Sequence, residues 1–356
     1  MPTRPRTLHR SAIRISCLIA IAGQASAQES RPILASEPRD WSVEVVSSDL
    51  DYPWDITRDG EVLYITEAGG DIVRVNDTRL TRMPLATTRP IYREGGRGLL
   101  GMALSLNFAD DRTAYFYHSV EETNGSSNRV IAARLDGESW RETRVLIDRI
   151  PGHRLYNGGR IAIGPDGMLY ITTGWTEDRQ RSQDPRSLAG KILRIAPDGT
   201  IPADNPRPGS PVWSLGHRNP QGLAWNPEGD LYAVEHGQSA HDEINRITPG
   251  RNYGWPVDQG DEQSAGMTAP WIQSGGRTWA PSGATFAGPE LLIAALGAQC
   301  LFVVDEAART LKPVVSTGER YRDVEAVGGD LWVITTNRSP RGEGPSPDRL
   351  LRLTLD

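Results

Sequence analysis

One phrase of apolar and polar positions recurs along the chain: a turn rich in Gly, Asp or Pro, then a short strand with apolar residues at alternate positions. It reads Arg58-Asp-Gly-Glu-Val-Leu-Tyr-Ile-Thr66 at its first occurrence and returns over residues 110–117, 164–172, 226–234, 288–294 and 328–334. After a variable loop each copy is followed by a second strand, over residues 71–75, 128–135, 190–195, 242–247, 299–304 and 348–353, often with an arginine. Six copies spaced by about 40 to 62 residues predict an all-β chain, a six-bladed β-propeller with four-stranded antiparallel blades over residues 41–356. The strand Trp41-Ser-Val-Glu-Val-Val46 is expected to join the last blade and close the ring, which hides an exposed sheet edge.

Residues 1–27 break this pattern. A basic start leads into the apolar stretch Cys17-Leu-Ile-Ala-Ile-Ala22 and then Ala25-Ser-Ala27, a small-x-small cleavage pattern, so an export signal is expected over 1–27 and a linker over 28–40. No later stretch approaches the ~20 apolar residues of a membrane span, and the expected location is the periplasm. Gly and Pro together (37 and 26 of 356) suit a chain of tight turns. The formal charge of −6 becomes about −10 without Arg4, Arg6, Arg10 and Arg14, which argues against nucleic-acid binding. Removal of the leader leaves Cys300 alone, so no internal disulfide is expected.

Three segments place polar groups where the repeat needs only turns: Gly216-His-Arg-Asn-Pro-Gln-Gly222, Glu235-His-Gly-Gln-Ser-Ala-His-Asp-Glu243 and Glu319-Arg-Tyr-Arg-Asp323. Loops at one end of a propeller channel converge, so Arg218, Arg320 and Arg322 with Asn219 and Gln221 suit a small polyanion, which guanidinium binds bidentately. The alternative is ion pairing of these arginines with Asp323, Glu319 or Glu235. Asp242, Glu243, Tyr253 and backbone carbonyls suit a hard cation such as calcium, without the spacing of an EF-hand.

His217-Arg-Asn-Pro-Gln-Gly222, Glu235-His-Gly237, Asp242-Glu-Ile-Asn245 and Asn252-Tyr-Gly-Trp-Pro256 resemble the soluble sugar dehydrogenases that use pyrroloquinoline quinone, the glucose/sorbosone dehydrogenase family. Gly98-Leu-Leu-Gly101, Asn157-Gly-Gly-Arg160, Gly190-Lys-Ile-Leu-Arg-Ile195, Ala280-Pro-Ser-Gly283 and Arg320-Tyr-Arg-Asp323 follow in family order. The resemblance implies a six-bladed propeller with the quinone over the channel mouth, held by Arg218, Asn219, Gln221, Thr278, Arg320 and Arg322. It implies a calcium ion on the carbonyls of Gly237 and Gln238, and further calcium involving Asp242, Glu243 and Tyr253. A sugar substrate and a soluble or membrane electron acceptor would be its partners.

The sequence also departs from the family. Tyr156 stands where the family has its catalytic histidine, Leu155 where glucose-oxidising members have an acid, Gly96 where they have a glutamine and Gly297 where a lysine pairs with the quinone. His153 is a possible replacement base. Two main readings follow: a periplasmic quinone-dependent oxidoreductase acting on an aldose or related alcohol, with Tyr156 or a water taking the proton, and a binding propeller without turnover. A calcium-dependent lactonase is a third, resting on fold alone.

Overall fold

The structure, a computed structural model, describes Met1 and residues 41–355; the export signal and linker expected over 1–40 lie, Met1 apart, outside the described residues. β1 (Trp41–Leu50) leads into β2 (Pro53–Asp59), β3 (Val62–Glu67), β4 (Asp71–Asn76) and β5 (Arg79–Ala86), then β6 (Leu99–Leu104), β7 (Thr113–Glu122), β8 (Gly125–Asp136) and β9 (Ser139–Pro151). Next come β10 (Gly158–Ile163), β11 (Leu169–Thr173), β12 (Lys191–Ile195) and β13 (Val212–Leu215), followed by β14 (Pro220–Trp225), β15 (Leu231–Glu235), β16 (Glu243–Ile247) and β17 (Ile272–Gln273). β18 (Pro281–Ala287), β19 (Glu290–Ala295), β20 (Cys300–Asp305) and β21 (Thr310–Val315) precede the final β22 (Tyr321–Val327), β23 (Asp330–Thr335) and β24 (Asp348–Leu355).

The recurring phrase falls on β3, β7, β11, β15, β19 and β23, and the strand after it on β4, β8, β12, β16, β20 and β24, each such pair antiparallel. Four sheets have four strands. The remaining eight-stranded sheet is two antiparallel runs, β2–β5 and β6–β9, joined where β5 and β9 pair in parallel at Leu85↔Trp140 and Ala86↔Arg141. The strand expected at Trp41 extends to Leu50 and takes the outer position beside β24, with Trp41 opposite Leu355.

β2, β6, β10, β14, β18 and β22 pack each against the next, and β22 packs back against β2. Two glycines show why the backbones approach so closely: a Cβ on Gly222 would collide with the Ser282 carbonyl, and one on Gly283 with the Asp323 carboxylate. Apolar side chains fill the space between neighbouring sheets. Trp140, fully buried, meets Tyr64, Phe108 and Phe116 at ring-centroid distances of 6.1, 5.9 and 5.3 Å.

Each of these six strands carries a register shift near its start. A bulge there ends regular pairing and re-aims the side chains at that end. Arg218, Asn219, Arg320 and Tyr156 immediately precede such starts, and Gln221 and Arg322 lie within them.

Candidate functional site

The strand starts bring Arg218, Arg320 and Arg322 around one residue, His236, whose imidazole is lowered to about 3 by burial and then by Arg218, Arg322 and Arg320. Among the described residues the three guanidinium groups bond only to neutral acceptors. Arg218 Nη1 donates to the His236 carbonyl (3.1 Å), and Arg320 to the carbonyls of Thr336 (3.1 Å) and Leu296 (3.3 Å). Arg322 donates to Gln221 Oε1 (3.0 Å), Ser282 Oγ (3.3 Å) and Thr336 Oγ1 (3.3 Å). Burial lowers all three, Arg322 to about 10, with Arg320 and Arg160 adding repulsion to it. The alternative of ion pairing is therefore not what forms: Asp323 pairs with Arg160, Glu319 with Arg349, and Glu235 with His217.

Glu235 explains how Arg218 is held. Its Oε1 lies 2.7 Å from His217 Nδ1 and accepts from Asn245 Nδ2 (3.0 Å), and its Oε2 accepts the Arg218 backbone N–H at 2.6 Å. One carboxylate thus ties together the three segments around residues 217, 235 and 245. Asn219 accepts the Gly158 N–H at 3.0 Å and Gln221 holds Arg322, so both orient the neighbouring backbone and guanidinium. Thr278 is exposed and stands against Gly297, with no contact to the arginines.

Aromatic residues complete the site, Trp175 among them without any signal in the sequence pattern. The Arg218 guanidinium lies over the rings of Tyr156 (4.8 Å), Trp255 (5.3 Å) and Trp175 (5.4 Å). Among the described residues, buried Arg218 Nε, Trp175 Nε1 and Trp255 Nε1 have no hydrogen-bond acceptor. Buried donors in this state cost free energy unless a ligand or water accepts from them. Trp175 gave no signal because it falls outside the repeat and the motifs, whereas Trp255 belongs to Asn252-Tyr-Gly-Trp-Pro256.

Tyr156 faces this cluster. Its Oη accepts from Arg341 Nη2 (2.6 Å), and its ring stacks on His153 at 5.9 Å. His153 is turned elsewhere: Nδ1 accepts the Leu155 N–H (3.2 Å) and Nε2 lies 3.3 Å from Glu177. Gly96 and Leu155 touch, since a Cβ on Gly96 would come within 2.7 Å of the Leu155 carbonyl. The two departures at these positions therefore belong to one local change.

The expected metal residues divide. Asp242 closes the loop after β15: Oδ1 accepts Gly237 N–H (2.9 Å), and Oδ2 accepts the N–H groups of Trp279 (2.6 Å) and Ala280 (2.8 Å). It clamps a strained turn in which Ser239, Ala240 and His241 all have positive φ (59°, 139° and 54°). Tyr253 is held at both ends of its side chain. Its Oη donates to the Arg246 carbonyl (2.5 Å) and accepts Thr248 N–H (2.8 Å), while its ring stacks on His217. Among the described residues no group of three or more His, Cys, Asp or Glu side chains is arranged to hold a metal. Gly237, Gln238 and Glu243 line a cavity of about 10 Å³, room for about one water-sized particle.

Across the channel beyond the arginines, Arg160 Nη1 bonds both Asp55 Oδ2 (2.8 Å) and Asp323 Oδ2 (2.5 Å), while Nε donates to the Gln221 carbonyl (2.8 Å). This plug joins β2, β10, β14 and β22. Burial raises Asp55 and Asp323 above the usual carboxylate range against the pull of Arg160, with the nearby Asp323 charge adding to the rise at Asp55. A cavity of about 460 Å³ lies against the plug and is lined further along by Arg58 and Glu325.

Four-stranded antiparallel sheets whose inner strands bring unneutralised guanidinium groups together define a propeller-type scaffold. The chain belongs to the glucose/sorbosone dehydrogenase family, whose sequence signature matches residues 50–343. It is 32% identical over 237 residues to the aldose sugar dehydrogenase YliI of Escherichia coli, covering 63% of this chain and 64% of that one. It is 30% identical over 240 residues to quinoprotein glucose dehydrogenase B of Acinetobacter calcoaceticus, covering 58% and 50%. These matches span between half and two thirds of the length of the relatives. The PQQ-bound aldose sugar dehydrogenase of Streptomyces coelicolor superposes with a TM-score of 0.80 at 36% identity, over 90% of this chain and 99% of that one.

Proposed function

We propose that this protein is a periplasmic, pyrroloquinoline-quinone-dependent dehydrogenase of an aldose or related alcohol, built as a six-bladed propeller in which the eight-stranded sheet counts as two blades. The observation that carries the reading is that Arg218, Arg320 and Arg322, set at the starts of β14 and β22, bond only to neutral acceptors, Arg218 to the His236 carbonyl and Arg322 to Gln221 of β14. The donor set fits the cofactor, a planar tricarboxylate: guanidinium groups for the carboxylates, and unpaired indole and Arg218 Nε donors beside them. Asn219, Gln221 and, at the rim, Thr278 complete the binding residues.

Calcium fits the loop after β15. The cavity beside Gly237, Gln238 and Glu243 has room for one ion, and burial with the neighbouring Glu235 charge holds Glu243 well above the usual carboxylate range. A cation there would relieve that repulsion. Asp242 supports the site by holding the Gly237 amide, and Tyr253 supports it by packing on His217.

Pyrroloquinoline quinone, when bound, supplies the acceptor for the hydride leaving the hydroxyl-bearing carbon. The residues of the chain do the rest. Arg218, caged by Tyr156, Trp175 and Trp255, fixes a carboxylate and excludes water from that side. Tyr156 Oη, held by Arg341, takes the substrate hydroxyl proton as its own hydrogen passes to solvent, so it relays the proton without storing it.

Reconstitution of the purified protein with the quinone and calcium tests the reading. Saturable uptake seen by absorbance, and dye reduction with sugars, are expected, and Arg320→Ala should release the quinone more readily. Uptake without reduction of dye by any sugar would point to the binding-protein reading, and no uptake would remove the cofactor.

A further inference from the structure

The mouth holds more positive charge than the cofactor needs. Beyond Arg218, Arg320 and Arg322 stand Arg93, Arg338 and Arg341, from the loops before β6 and β24. Among the described residues each of these bonds only to a neutral acceptor: Arg93 Nη1 to the Gly95 carbonyl (3.2 Å), Arg338 Nη1 to the Gly344 carbonyl and Arg341 Nη2 to Tyr156 Oη (2.6 Å). Of the neighbouring acids, Asp348 and Glu94 are engaged otherwise. Asp348 accepts from Asn337 N, Ser346 Oγ and Tyr52 N, and Glu94 pairs with Arg97 and Arg154.

Tyr52 links this second group to the first. Its ring lies under both Arg93 (4.2 Å) and Arg338 (5.1 Å), and its hydroxyl is buried without a partner. Thr336 ties the two groups together: its hydroxyl donates to the carbonyl of Pro53, next to Tyr52, while Arg320 and Arg322 both donate to Thr336. Arg341, through Tyr156, stands on the side where Arg218 lies. Burial holds Arg93 below its usual range, with repulsion from Arg338 adding to it against the pull of Asp51 and Asp348.

We propose that the sugar acted on here is itself anionic, bearing a carboxylate or a phosphate, and that Arg93, Arg338 and Arg341 bind that group. A tricarboxylate on the floor leaves the rim arginines without partners, and Arg341 among them lies against Tyr156, where the reacting hydroxyl would be. Guanidinium on a carboxylate or phosphate is a charge-assisted, bidentate contact, stronger than any contact these groups could make to a neutral hydroxyl.

The inference rests on the dehydrogenase reading, and the test separates the two. Dye reduction by the full-length, quinone- and calcium-loaded protein is measured with glucose, glucuronate and glucose 6-phosphate across a range of ionic strength. Calorimetry follows binding of the same sugars without dye. At least one anionic sugar should exceed glucose in kcat/KM by about tenfold at low salt, and the advantage should shrink as salt rises. The glucuronate and phosphate arms distinguish the two anionic groups. Arg93→Gln and Arg338→Gln should each lower the ratio of anionic to neutral kcat/KM several-fold, and lower glucuronate or phosphate binding in parallel. Oxidation of glucose at least as efficient as of both anions at every salt concentration overturns the inference and leaves the dehydrogenase standing. Binding of an anionic sugar that is lost in both variants, with no sugar oxidised, upholds the anion site and removes the dehydrogenase. An anionic preference unmoved by either variant overturns the assignment to these arginines.

Discussion

The surroundings of Tyr156 separate its two contributions. The ring contributes packing, on His153, Trp175 and the Arg218 guanidinium, while the hydroxyl meets Arg341. Tyr156→Phe keeps the first and removes the second. Turnover of the reconstituted enzyme should fall about 100-fold, the usual scale for a proton-transfer group, with quinone affinity changed less than about twofold. Stopped-flow reduction and equilibrium titration read the two quantities separately. Equal rates in the two proteins would clear the hydroxyl of its role. The sequence identified the position, because it lies a fixed distance before Gly158-Gly-Arg160, but Arg341 is 185 residues away and no motif connects them.

At the level of strands, the bulged starts of β2, β6, β10, β14, β18 and β22 decide which side chains reach the mouth, and glycines decide how near the strands come. Gly283 in β18 has no room for a methyl group because the Asp323 carboxylate of β22 occupies that space. Gly283→Ala should therefore destabilise the fold by about 1–3 kcal/mol, the range for overpacking a tight contact. It should also loosen the Arg160–Asp323 pair. Denaturant unfolding measures the first effect; a midpoint equal to that of the parent protein would mean that the strands can move apart freely. Ala280-Pro-Ser-Gly283 was legible in the sequence as a motif, yet its reason was not. The clash is with an atom from the next sheet.

Across the whole molecule, the channel collects charge from four sheets, and its acids make stability depend on pH. Burial raises Glu325 to about 7, above its ordinary 4.5, against the opposing pull of Arg58 at 2.9 Å. A carboxyl raised in the folded state favours folding below its unfolded value, and that advantage is lost as pH rises through its folded value. The protein should thus lose stability between about pH 4.5 and 7 through this group. Glu325→Gln stays neutral, so relative to the parent protein it should gain on the order of 1–2 kcal/mol between pH 5 and pH 8. Thermal melts at both values read this. A constant difference between the two proteins would show that Glu325 ionises freely in the channel.

The sequence alone determined the strand plan, because each turn-and-strand phrase is local: Gly, Asp and Pro set the turn, and alternation sets the buried face within the same ten residues. It also supplied the three arginines of the floor, as segments too polar for their place in the repeat. Tertiary structure decided the rest, since convergence is a property of the closed set of strands. Only there do guanidinium groups from sheets far apart in sequence meet His236, does Glu235 tie three segments together, do Trp175 and Trp255 cage Arg218, and does Tyr52 join the rim arginines to the floor. Distances between charges on different sheets depend on how the backbones pack, and spacing along the chain carries no record of them.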